Sequence, residues 1–167
     1  MIVSLIGMTG CGKSTVGRIA AEKLNLPFFD LDDEIVRGEG RAISDIFSQD
    51  GELAFRNLEK KYLEDIISES DGDVLISCGG GAPIFPETRE VLEKHAFNVW
   101  ITRRPSEVLK NPDVLSRPPV SGVPQKYYDL LAVREPIYIA ISSARIENDN
   151  AQDAAEILAA LILNEKK

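Results

Sequence analysis

The chain has 167 residues, 44% of them hydrophobic and 28% charged, a size that a single domain accommodates and a composition ordinary for a globular protein. No apolar run reaches the roughly 18 residues that a membrane helix needs, so no membrane partner is expected. The net charge of -8 opposes nucleic-acid phosphates and anionic lipid alike, and no nucleic-acid partner is expected either.

A strand-like run follows Met1 at once, which leaves no room for a signal or transit peptide and makes the cytoplasm the expected location. Cys11 and Cys78 are too few for a disulfide framework and read as small buried thiols, and the single His95 argues against a histidine-based metal site. In so acidic a chain the basic residues act locally, which draws attention to Lys13, Arg56, Arg117 and Arg134.

Apolar runs alternate with amphipathic stretches throughout, the pattern of βα units around a parallel sheet. Strands are predicted near 2–6, 27–30, 73–77, 97–102 and 144–147, and helices near 13–24, 32–38, 42–49, 52–68, 87–95, 105–110, 125–141 and 151–163. The first strand runs into GMTGCGKS at 7–14, which matches G-x-x-x-x-G-K-S between a strand and a helix. Glycines let successive amides of such a loop face phosphate oxygens, Lys13 reaches the β- and γ-phosphates, and Ser14 is a candidate ligand of Mg²⁺.

Magnesium at a phosphate loop usually draws on a nearby carboxylate, yet the third strand ends at Ser77 without one. The second strand supplies Asp30, Asp32 and Asp33 where strand turns into helix, on the edge of the sheet that binds ligands. One of the three can instead cap the helix, a role weighed most heavily at Asp33.

In the helix from 52, Phe55, Leu58, Tyr62, Leu63, Ile66 and Ile67 recur at spacings of three and four, placing Arg56 and Glu59 at the margin of its buried face. Gly79, Gly80 and Gly81 follow the third strand and suit a backbone that approaches a ligand closely. NPDVLSRPPVSGVP, from 111 to 124, has too many prolines for a helix or central strand and reads as a lid carrying Arg117. Arg134 lies on a helix just before Pro136.

These motifs together resemble the shikimate kinase family over nearly the whole chain. The resemblance rests on the 7–14 loop, Asp30 and Asp32, the pattern DIF…DGE..FR..E from 45 to 59, GGGA from 79, Arg117-Pro118, and R.P.Y from Arg134 to Tyr138. It implies a three-layer α/β/α P-loop kinase with a five-stranded parallel sheet, an acceptor-binding region at about 31–60 and a lid at about 111–124. The implied reaction moves the γ-phosphoryl group of ATP to the 3-hydroxyl of shikimate.

The resemblance also implies roles. Gly10, Cys11, Gly12, Lys13, Ser14, Thr15, Lys110 and Arg117 would bind ATP, with one Mg²⁺ supported by Ser14 and Asp30. Asp32 would take the proton of the acceptor hydroxyl, while Lys13 and Arg117 neutralise charge on the phosphoryl group. Arg56 and Arg134 would grip the substrate carboxylate, with Glu59 holding Arg56, Phe47 and Phe55 walling the ring, and Gly79, Gly80 and Gly81 meeting its hydroxyls. A monomer is expected.

Paired arginines suit a carboxylate because their planar forks match its two oxygens. Two positions depart from the family: Lys110 stands where an arginine generally stacks on adenine, and the lid reads RPPV where RPLL is common. Other readings are a P-loop kinase acting on gluconate or a nucleoside monophosphate, and a regulatory nucleotide-binding domain that has lost transfer.

Overall fold

A computed structural model of the chain describes residues 1–116, 120 and 122–166. Five strands, β1 (Ile2–Ile6), β2 (Phe28–Asp30), β3 (Val74–Ser77), β4 (Ala96–Thr102) and β5 (Ala144–Glu147), form one sheet in the order β2-β3-β1-β4-β5. Every pairing is parallel, as connections through helices require. Consecutive residues of a strand face opposite sides. Leu5 thus enters the core beneath α1 (Lys13–Leu24) and α8 (Ala151–Glu165), whereas Ile6 enters the core beneath α2 (Leu31–Glu39), α3 (Ile43–Glu69) and α4 (Pro86–His95). Both are fully buried, each worth roughly 1.5–3 kcal/mol relative to exposure.

Three details sharpen the sequence reading. β2 stops at Asp30 and α2 starts at Leu31, so Asp30 and Asp32 do not share a strand face. The helix stretches expected at 42–49 and 52–68 join as α3, bent at Gly51, whose φ of 85° and ψ of 173° break the helical path. The segment expected to be only loop contains the short helix α6 (Pro112–Ser116), which follows the single turn α5 (Pro105–Val108). Pro112 fits there because the first helical position needs no amide, and the Asn111 side chain accepts from Asp113 N at 2.9 Å.

Sheet order decides which loops meet. β1 lies between β3 and β4, with Leu5 level with Ser77 and Ile6 level with Trp100. The loops that leave β1 and β3 at their C-terminal ends are therefore neighbours, at the point where strand order reverses and α/β sheets bind ligands. Another long helix, α7 (Pro124–Ile141), reaches the same edge through Tyr127 and Tyr138 and continues through Pro136.

Candidate active site

The loop after β1 closes on itself around Lys13. This lysine is 7% exposed, and its Nζ donates to Gly7 O and Met8 O, each at 2.9 Å. Gly12 caps α1 in the left-handed region, φ 96°, without any side-chain cap. The first amides of α1 are thereby left to a ligand, and the positive end of the helix faces the same place. The next residue, Ser14, donates its hydroxyl to an Asp30 carboxylate oxygen and lies 3.2 Å from Ser77 Oγ. Thr15 is exposed one step further on.

Asp30 is the N-cap of α2, its side chain accepting from Asp32 N at 3.2 Å. Capping thus falls to Asp30 rather than Asp33, which is exposed and lies 3.9 Å from Arg18. Strand β2 ends one residue before the helix, so the side chain at its last position is the one that reaches the first amides. The oxygen donors Ser14 and Asp30 are of the type Mg²⁺ accepts, and Mg²⁺ ordinarily takes only one or two protein ligands beside phosphates and water. Among the described residues no group of three or more His, Cys, Asp or Glu forms a self-sufficient metal site, so the pair fits an ion carried by a nucleotide.

A second cluster assembles beside this one. Glu59 has a fully buried side chain and its Oε2 accepts from Arg56 Nη1 at 2.5 Å; Arg56 Nη2 also lies 3.1 Å from Glu52. The second Glu59 oxygen, Oε1, has no hydrogen-bond partner among the described residues. Its carboxyl is pushed up to about 7, chiefly by burial and in part by Asp32, against the opposing pull of Arg56 and Arg134. Phe47 and Phe55 stack with centroids 4.7 Å apart. The Arg56 guanidinium sits 5.4 Å from the Phe55 ring and 6.0 Å from that of Phe47.

The three glycines after β3 pass between these side chains. A Cβ on Gly79 would lie 2.6 Å from Glu59 Oε1 and 3.1 Å from Asp32 Oδ1, and one on Gly81 would lie 2.6 Å from Arg56 Cζ. None of the three has positive φ, so it is close approach and not backbone conformation that demands glycine here. Tyr138, buried on α7, donates to Gly80 O at 2.5 Å, and a Cβ on Gly80 would stand 3.5 Å from Arg134 Nη1. Arg56 and Arg134, from α3 and α7, line a cleft of about 370 Å³ together with Glu52, Leu53, Ile84 and Phe85.

The residues predicted for the acceptor thus gather from four elements, and those of the phosphate loop lie next to them: Gly80 comes within 3.1 Å of Thr9 N, measured from the Cβ it lacks. One predicted residue stands apart. Lys110 is exposed and pairs with Glu107 at 2.8 Å, whose carboxyl it holds below the usual range. Arg117 and the neighbouring Pro118 lie outside the described residues. Buried Val114 and Val108 close over Gly10, where a Cβ would stand 2.8 Å from Val108 Cγ1.

Sequence reasoning passed over Ser77, Tyr127 and Asn148. The third strand ends at Ser77 without a carboxylate, yet the Ser77 hydroxyl joins the Ser14 and Asp30 cluster. Tyr127 donates to Thr9 O at 3.3 Å and Asn148 donates to Cys11 O at 2.8 Å. Each is separated from its partner by more than a hundred positions, and no local pattern marks such a pair.

Residues 9–163 match the shikimate kinase family. A shikimate kinase of Rhodococcus jostii is 38% identical over 153 residues, 90% of this chain and 89% of the relative. One of Streptomyces avermitilis is 35% identical over 168 residues, 98% of this chain and 96% of its own length. Among solved structures, shikimate kinase from Acinetobacter baumannii in complex with shikimate is 35% identical and matches with a TM-score of 0.88, over 99% of this chain and 94% of that one. The sheet order, the phosphate loop and this breadth of similarity lead to one conclusion: the chain belongs to the shikimate kinase family.

Proposed function

We propose that the chain phosphorylates the 3-hydroxyl of shikimate with ATP. The observation that carries this reading is the convergence of Arg56, Arg134, Asp32 and the three glycines on one side of the phosphate loop. Two guanidiniums on a cleft suit a small carboxylate, and Asp32, whose Oδ1 would lie 3.1 Å from a Cβ on Gly79, is the acceptor for the hydroxyl proton. The A. baumannii relative was solved with shikimate bound, which supports the same acceptor here.

In the reaction the acceptor oxygen bonds to the γ-phosphorus while the bond to the β,γ-bridging oxygen breaks. Its electron pair leaves with ADP, and the hydroxyl proton passes to Asp32. Gly10, Cys11, Gly12, Ser14 and Thr15 supply amides and hydroxyls to the phosphates. Lys13 leaves its carbonyl partners to meet the β- and γ-oxygens, and Arg117 adds a second cation. Ser14 and Asp30 hold one Mg²⁺, which when bound neutralises phosphate charge. Lys110 reaches the nucleotide only by leaving Glu107.

Glu59 fixes Arg56, Phe47 and Phe55 wall the acceptor ring, and the glycine amides face its hydroxyls. Both ligand sides come from one chain, folded as a single domain, so a monomer suffices. No helix among the described residues is long and apolar enough to cross a membrane, which is compatible with a cytoplasmic enzyme.

The test is ADP formation in a coupled assay with ATP, Mg²⁺ and a panel of acceptors. Shikimate-dependent turnover is expected, with gluconate and nucleoside monophosphates inert. Absence of any shikimate dependence would overturn the proposal.

A further inference from the structure

We infer that Asn148 is a positioning residue of the phosphate loop, holding the peptide between Cys11 and Gly12 in the orientation that receives a nucleotide phosphate. The inference rests on the proposed ATP-binding role of that loop. Asn148 follows β5 directly and is 3% exposed. Its own amide donates to Thr102 O at 2.7 Å, extending the β4–β5 ladder by one bond. The root of the side chain is therefore set by the sheet.

From that root Nδ2 donates to Cys11 O at 2.8 Å. A buried carboxamide is retained where its hydrogen bond is made and costs stability where it is not. The carbonyl and amide of a trans peptide point in opposite directions. Drawing Cys11 O toward β5 consequently turns Gly12 N–H away from it, the direction a phosphate-cradling loop requires of its amides.

Gly12 shows how closely the two parts fit. In its left-handed conformation a Cβ would collide with Asn148 Nδ2, so glycine there serves both the φ of 96° and the approach of the carboxamide. Two residues on, Asn150 caps α8 by accepting from Gln152 N and Asp153 N. Helix α8 shares its core cluster with α1. The segment from Asn148 to Asn150 thus ties the edge of the sheet to both the loop and the helix behind it.

The decisive comparison uses Asn148→Asp, which keeps size and replaces the donor by an acceptor facing Cys11 O, and Asn148→Ala, which removes the donor without adding charge. The ADP dissociation constant and the KM for ATP should rise by about tenfold in Asn148→Ala, the scale of one buried hydrogen bond, and further in Asn148→Asp. The shikimate dissociation constant should stay within about twofold of the parent value.

If Asn148→Asp does not fold, Asn148→Ala carries the comparison. Unchanged ADP affinity in Asn148→Ala overturns the inference, as does an equal loss for both substrates, which would mark a general packing role. The outcome is separable from that of the proposed function: a parent chain that binds ADP without phosphorylating shikimate refutes the activity, and the ADP titrations still judge Asn148.

Discussion

The two halves of the site are built in different ways. On the proposed acceptor side stand side chains whose charges are already paired and partly buried, Arg56 with Glu59 and Glu52, with Arg134 set beside Gly80. On the proposed nucleotide side the backbone is foremost: Lys13 rests on carbonyls, Gly12 leaves its helix uncapped by a side chain, and Lys110 is turned to a surface partner. Backbone amides suit a phosphate that every nucleotide shares, whereas a particular acceptor calls for side chains in one arrangement. Single substitutions of these acceptor-side side chains should accordingly act selectively on the acceptor.

The largest effect is expected at the seam between the halves. Asp32→Asn should lower kcat by about 10²–10⁴-fold, the usual contribution of a positioned proton acceptor, with ADP affinity preserved. A parallel loss of nucleotide binding would move Asp32 to the donor half. Next comes Arg134→Ala, which should raise the KM for shikimate by roughly 10- to 100-fold, as loss of a charged hydrogen bond does, leaving the KM for ATP nearly unchanged. If instead both KM values rise together, the division between the halves fails.

A smaller and pH-dependent effect belongs to Glu59. Its carboxyl is pushed up to about 7 in the folded chain from an ordinary 4.5. Between those values the folded state keeps a proton that the unfolded state has released. This contribution is therefore complete at low pH and is lost as pH rises through the window. Urea unfolding should show the parent chain losing on the order of 2–3 kcal/mol relative to Glu59→Gln between about pH 5 and about pH 8. A difference between the two that does not vary with pH would mean that Glu59 is not a desolvated carboxyl.

The least effect is expected on the exposed nucleotide margin. Lys110→Ala removes a surface pair with Glu107, which is worth at most about 1 kcal/mol, and should change the KM for ATP by less than about threefold. A tenfold rise would return Lys110 to the place where the family carries its adenine-stacking arginine.

Much of the fold could be read directly. The alternation of apolar and amphipathic stretches located all five strands and the long helices to within a few residues, because burial on both faces of a parallel strand leaves a continuous apolar run. The errors fell at joints. Capping went to Asp30 because β2 ends there, and a helical turn formed within the proline-rich segment because Pro112 stands at its first position. For the site, a local motif announced Lys13 and Ser14, and the family pattern pointed to Asp32, Arg56, Gly79, Gly80, Gly81 and Arg134.

The order of residues along the chain was enough to specify a phosphate loop between strand and helix, since its amides, its lysine and its helix start are all contributed within eight consecutive positions. It was enough, too, for the parallel α/β class, whose periodicity is local. The placing of β1 between β3 and β4 is of another kind, because strand order depends on packing among distant segments. That order alone brings Gly80 against the phosphate loop, Ser77 beside Ser14, Glu59 beneath Gly79 and Asn148 onto Cys11. Contacts between residues so far apart leave no periodic trace in a sequence, and they turn a loop that holds phosphate into a site facing an acceptor.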